Sequence, residues 1–185
     1  RAMDKQIDLE IEGGDTEVDK SVIESLGDPL VHILRNSADH GVESAEQREA
    51  AGKDARGAIR LSARHEGNHV LVEIADDGKG LDAEKIGRKA VERGMISEDQ
   101  MQSLTRHDLQ NLVFEPGFST AEQISNVSGR GVGMDVVRTN INRLNGMIDV
   151  TSEKGKGTTI AIRIPLTVAI MRAMVVGVNE EVYAV

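Results

Sequence analysis

Cysteine and tryptophan are both missing from this 185-residue sequence, and other aromatics are scarce: one tyrosine and two phenylalanines. Without cysteine there is neither a disulfide framework nor a thiolate metal site, which fits a reducing compartment. No run of about 18 apolar residues exists, so a membrane-spanning helix is not expected, and no signal-peptide pattern opens the chain. A surplus of basic residues is also lacking. The formal net charge is −9, which argues against non-specific binding to nucleic acid or anionic membranes. Any anionic ligand must then be held by local groups against the global field. What remains is an ordinary globular composition, 39% hydrophobic and 29% charged, sized for one domain and part of a second. Opening on Arg1 rather than methionine, the chain reads as a piece of a longer, cytoplasmic protein.

Periodicity sketches the elements. Ile7, Leu9 and Ile11 alternate with acids and predict a half-buried strand. Helix is expected from about Val18 to His40, with a kink or fresh start at Asp28-Pro29. A polar loop with a short helix follows over 41–57. Two strands, 58–63 and 70–74, flank a turn at Glu66-Gly67-Asn68, and helices are predicted over 82–92, 107–113 and 134–144. Residues 148–152 and 158–164 predict a second hairpin. Phe114 to Gly133 has no period, and nearly twenty residues without structure suggest a functional lid. After Pro165 the register changes, and 173–178 with 182–185 read as a further hairpin.

Three segments carry chemistry. In an α-helical projection His32, Arg35, Asn36, Asp39 and His40 share one face, opposite Leu30, Ile33, Leu34 and Ser37. Such a polar face suits either solvent or a cleft holding a metal and phosphates. Asp76-Asp77-Gly78-Lys79-Gly80 follows a strand directly. It is either a simple turn or a loop that brings backbone and a carboxylate to a flat ligand; that carboxylate would accept from an exocyclic amine and so favour adenine over guanine. Gly129-Arg130-Gly131-Val132-Gly133 precedes the helix opening at Met134, an arrangement of N–H groups suited to an anion. Neither a dinucleotide fingerprint nor a Walker loop is present.

Together, in this order, the segments resemble the N, G1 and G2 boxes of the Bergerat-fold (GHKL) ATPases and kinases. Phe114-Glu115-Pro116-Gly117-Phe118-Ser119-Thr120, which holds both phenylalanines, resembles the F box between G1 and G2. Residues 34–41, 61–67, 116–120 and 127–137 are similar to the catalytic domain of the CheA family of chemotaxis histidine kinases, and the likeness covers nearly the whole chain.

The resemblance implies an α/β (α+β) two-layer sandwich: a mixed, mostly antiparallel sheet with helices on one face and an ATP lid. Residues 1–165 would form the ATP-binding catalytic domain, and 166–185 would begin a CheW-like regulatory domain. Asn36 would coordinate Mg2+ on the triphosphate, and Asp76 would bind the adenine amine with Gly78 and Gly80 beside the base. Thr158 would reach adenine directly or through water. Gly129, Arg130, Gly131, Val132, Gly133 and Met134 would close around the phosphates, near which Arg35, Asp39, His40 and Lys85 would lie. Relatives that hydrolyse ATP carry a glutamate four residues before the asparagine; here that position is His32. The implied activity is transfer of the ATP γ-phosphoryl group to a histidine, with His32, Asn36 and His40 as catalytic candidates. A water-activating ATPase and a nucleotide-gated binding module are the rivals. The implied acceptor is a separate histidine-phosphotransfer domain rather than His107. Other implied partners are the dimerisation and CheW-like domains of the parent chain and, indirectly, a chemoreceptor and its coupling protein. His65 and His69 straddle a turn and are not read as a zinc site.

Overall fold

The computed structural model describes residues 5–118, 133–166, 175–178 and 181–184. The first elements are β1 (Ile7–Glu12), α1 (Lys20–Asn36), a π turn (Ser37–Gly41), α2 (Ala45–Ala50), β2 (Gly57–Glu66) and β3 (His69–Asp76). There follow α3 (Ala83–Glu92), α4 (Glu98–Ser103), α5 (Arg106–Asn111) with a 3-10 turn (Leu112–Phe114), and α6 (Met134–Arg143). The chain returns through β4 (Met147–Glu153) and β5 (Gly157–Pro165). Strands β6 (Val175–Val178) and β7 (Glu181–Ala184) pair with each other in a two-stranded sheet.

The main sheet has the order β1-β2-β3-β5-β4, with β1 parallel to β2 and the other pairs antiparallel. This is the mixed, mostly antiparallel sheet the sequence predicts. Its period of two sorts Ile59 of β2, Val70, Val72 and Ile74 of β3, and Ile160, Ile162 and Ile164 of β5 onto one face. There they share a core with Leu26 and Ile33 of α1 and Val137 and Ile141 of α6. The opposite face carries Arg60, Arg64, Glu73 and Arg163, with Arg64 paired to Glu73. The result is a two-layer sandwich with helices on one side. The two phenylalanines divide the labour: Phe114 completes this core, while Phe118 packs with Ile86 and Ala90 of α3.

Four local expectations are corrected. Helix α1 is not restarted at Asp28-Pro29; its N-cap is Asp19, whose side chain accepts from the Ser21 N–H, and Pro29 lies buried inside the helix. Burial of the ring offsets the one ladder bond a proline forfeits. The helix ends at Asn36, and the wider π turn breaks the 3.6-residue projection beyond it. Strand β1 forms, yet Leu9 and Ile11 are 55% and 64% exposed, because an edge strand has a neighbour on one side only. Helix α4 was not expected from periodicity, although its capping box, Ser97 with Gln100, is legible in the sequence.

Candidate functional site

Asp76 ends β3 on the same face as Val70, Val72 and Ile74, so a carboxylate occupies what the strand's alternation makes a core position. It is only 9% exposed. Burial raises its pKa above the ordinary 3.8, while donors from Ser37 and the Gly78 and Thr158 backbone pull the other way. The Ser37 hydroxyl donates to Oδ2 at 2.9 Å and the Gly78 N–H to Oδ1 at 3.0 Å. Across the sheet, Asp76 registers with Thr158 and Thr158 with Ser152, giving a polar row at one end of an otherwise apolar face. The Thr158 and Ser152 hydroxyls are 3.0 Å apart. An open depression of about 450 Å³ is lined by Asp76, Ser152, Gly157, Thr158 and Lys156 among others.

Backbone approaches around Asp76 are very close. A Cβ on Gly78 would stand 2.2 Å from the Gly41 carbonyl oxygen, and one on Gly157 1.9 Å from the Asp76 carbonyl oxygen. Gly157 also has φ +124°, a conformation open to glycine. The loop after β3 thus sits directly on the π turn that ends the Asn36 helix, and the Lys79 N–H donates to the Gly41 carbonyl at 3.0 Å.

The second wall is the end of α1 against the start of α6. The Asn36 amide nitrogen lies 3.0 Å from the Met134 sulfur. His32, half-buried, has its pKa lowered below 6.5, first by burial and then by Arg35 and His40, with Asp135 opposing. Its imidazole is therefore neutral at neutral pH. Arg35, Asp39 and His40 are exposed, the last two on the π turn rather than on α1. Lys85 is exposed on α3, and among the described residues no hydrogen bond ties its ammonium to Asp76. Gly80 packs against the Glu153 backbone, and Gly133 is the N-cap of α6. The readings at Gly129, Arg130, Gly131 and Val132 lie outside the described residues.

Several site residues were missed. Ser37 falls on the apolar back of the helix in projection, yet it holds Asp76; a lone hydroxyl in a stripe of leucine and isoleucine is its sequence signal. Gln110 of α5 exchanges two hydrogen bonds with the Ser152 backbone, and the Ser152 hydroxyl accepts from the Leu81 N–H at 2.7 Å. Lys5 donates to the Ala38 and Asp39 carbonyls at 3.0 and 2.8 Å, fastening the π turn. Such long-range contacts leave no local pattern. Among the described residues no group of three His, Asp or Glu could cage a metal, and no helix is long and apolar enough to cross a membrane.

A buried carboxylate at a strand end, a glycine loop against it and the end of the asparagine helix meet at one end of the sheet. A profile of the histidine kinase-, DNA gyrase B-, and HSP90-like ATPase family matches residues 26–168, which include all three. The chain belongs to this ATPase family. Membership implies ATP as the ligand. Within it, the sequence is 55% identical over all 185 residues to "Sensor histidine kinase CheAY" of Helicobacter pylori, covering 23% of that protein. It is 50% identical over its full length to "Chemotaxis protein CheA" of Treponema pallidum and 46% identical to that of Bacillus subtilis, covering 22% and 28% of them. The chain thus spans about a quarter of these relatives. Among solved structures, the histidine kinase domain of the Erythrobacter litoralis EL346 blue-light activated kinase superposes with a TM-score of 0.51 at 19% identity, over 86% of this chain and 52% of that one. The catalytic domain of histidine kinase ThkA gives 0.50 at 18% identity, over 86% and 79%. Both show the family's ATPase-domain fold.

Proposed function

We propose that this chain is the ATP-binding catalytic domain of a chemotaxis histidine kinase, and that it transfers the γ-phosphoryl group to a histidine on a separate phosphotransfer domain. The observation that carries the reading is the buried Asp76 carboxylate, held by Ser37 and Gly78 where an adenine amine would meet an acceptor. A carbonyl-bearing guanine edge would present acceptor to acceptor and be rejected. Thr158, in register with Asp76, supplies a hydroxyl to the same base edge. The names of the full-length relatives, sensor histidine kinase and chemotaxis protein, agree with this use of the fold.

The donor set fits a metal that comes with its nucleotide. Asn36 engages Met134 through its amide nitrogen, which leaves the carbonyl oxygen as a ligand for Mg2+. The ion would neutralise charge on the triphosphate as the bond to the γ-phosphorus breaks, a bond to an imidazole nitrogen of the acceptor forms and ADP departs. Arg35 and His40 would offer donors toward the phosphates, and Gly133 and Met134 would border them at the start of α6. His32 stands where hydrolysing relatives keep a glutamate. Half-buried and neutral, it lacks the carboxylate that would activate water, and this favours transfer over hydrolysis. Residues from 166 onward would lead into a CheW-like regulatory domain. The dimerisation domain of the parent chain and a coupled chemoreceptor complete a cytoplasmic assembly.

Incubation with radiolabelled ATP, Mg2+ and a separately expressed histidine-phosphotransfer domain should label that domain on histidine. Asn36→Ala should abolish the labelling, and Asp76→Asn should weaken ATP binding by about 1.5–3 kcal/mol in calorimetry. Steady phosphate release without an acceptor would indicate the ATPase rival instead. Nucleotide binding with no phosphohistidine on any acceptor would indicate a nucleotide-gated binding module.

A further inference from the structure

Behind the Asp76 loop lies a cluster of four charged side chains that the proposed reaction does not use: Glu43, Arg48, Lys53 and Asp77. Arg48 of α2 is 1% exposed, unusual for a guanidinium. It forks onto Asp77, with Nη1 at 3.0 Å from Oδ1 and Nη2 at 2.7 Å from Oδ2, while Nε donates to the Asp54 carbonyl at 2.6 Å. Glu43 lies 3.4 Å from Nη1. Lys53 donates to Glu43 at 3.0 Å and to the Asp77 and Gly78 carbonyls at 2.8 and 2.7 Å. The Ala58 N–H completes the ring by donating to Asp77 Oδ1 at 2.9 Å.

Stability alone is a poor account of Arg48. A buried ion pair rarely repays its desolvation, and apolar side chains of similar size often replace one at no cost. What an apolar side chain could not do is fix a loop by directed donors, as Arg48 does with three hydrogen bonds to Asp77. Every acceptor that Arg48 and Lys53 engage on that loop belongs to Asp77 or Gly78. These are the residues that follow Asp76, and the Gly78 N–H is one of the donors that set its carboxylate.

We propose that Arg48, together with Lys53, positions the base-recognition loop: by clamping Asp77 and the Asp77 and Gly78 carbonyls, they aim the Asp76 carboxylate and thereby set the preference for adenine over guanine. This rests on the reading of Asp76 given above. Neither residue touches the nucleotide; both act through the loop.

The test is nucleotide discrimination in the full chain. ADP, GDP and inorganic triphosphate are titrated by calorimetry into the parent, Arg48→Met, Arg48→Lys, Asp77→Asn and Asp76→Asn. Arg48→Met should weaken ADP binding roughly tenfold, a coupling typical of groups in one network, and leave GDP and triphosphate unchanged. Arg48→Lys should recover part of the loss. In the Asp76→Asn background Arg48→Met should cost nothing further. Should Arg48→Met fail to fold, Asp77→Asn, whose side chain is 42% exposed, is expected to show the same selective loss. Equal losses for all three ligands, or unaltered discrimination, would overturn the positioning role. If Asp76→Asn itself binds ADP like the parent, the adenine reading fails; if it weakens ADP while Arg48 and Asp77 variants keep their discrimination, only the positioning role fails.

Discussion

Asp76 and His32 are shifted in opposite senses by the same cause, burial of a charged form. For Asp76 the folded pKa exceeds the ordinary 3.8, so its contribution to stability falls as pH rises from there through the raised value. Binding runs the other way, because the adenine amine needs the ionised carboxylate. Nucleotide affinity should therefore decline on acidification through the raised Asp76 pKa, and Asp76→Asn should lack that inflection in a pH series of calorimetric titrations. His32 has a folded pKa below 6.5. The unfolded chain takes up its proton first, so this group's contribution is complete above that pH and is lost as pH falls toward the folded value. Urea melts across this range should show the loss, and His32→Gln should flatten it. Both residues stood out in the sequence. Their environments did not, since the groups that bury Asp76 come from β2, β5 and the π turn.

The elements obey local rules where the termini are capped. Ser44 with Gln47, Ser97 with Gln100 and Thr105 with Asp108 each close a reciprocal box on a six-residue helix. Helices this short are marginal alone, and their caps matter accordingly. Replacing Ser44 by alanine should cost about 1 kcal/mol in chemical denaturation, and it would loosen the helix that carries Arg48. At the β3–β5 crossing the constraint is steric. Gly157→Ala places a methyl against the Asp76 carbonyl and at a strained φ, and should destabilise by at least about 1–3 kcal/mol in the same assay. The exposed edge behaves differently. Leu9→Thr on β1 should change stability by no more than about 0.5 kcal/mol, whereas Ile59→Ala, at the buried position in register with it, should cost about 2–5 kcal/mol. Alternation places both residues on one face; only the strand order separates core from edge.

For the molecule as a whole, the net charge of −9 opposes an anionic ligand, so any such ligand must be held by local groups, which the proposed site would supply. Saturating ATP should raise the thermal midpoint, by about 2.7 kcal/mol of added stability at a hundredfold excess over Kd. GTP at the same concentration should shift it far less, and Asp76→Asn should erase the difference. A shift equal for both nucleotides would place recognition in the phosphates alone.

Sequence by itself determined the strands, the main helices, the two-layer sandwich and the candidate residues Asn36, Asp76 and Thr158. Those follow from periodicity and from motifs carried within a few residues of one another, where local steric rules and the family resemblance both apply. Tertiary structure decided the rest: that Pro29 stays inside one helix, that a π turn follows Asn36, that Ser37 bonds Asp76 and Gln110 bonds Ser152, and that Arg48 and Lys53 grip Asp77 and Gly78. Each depends on a contact between distant segments, and packing rather than local preference chooses which segments meet. The Asp76-Asp77-Gly78-Lys79-Gly80 stretch shows both halves. Its composition allowed either a simple turn or a loop beside a ligand, but only the fold set its first carboxylate into the core and its second onto a buried arginine.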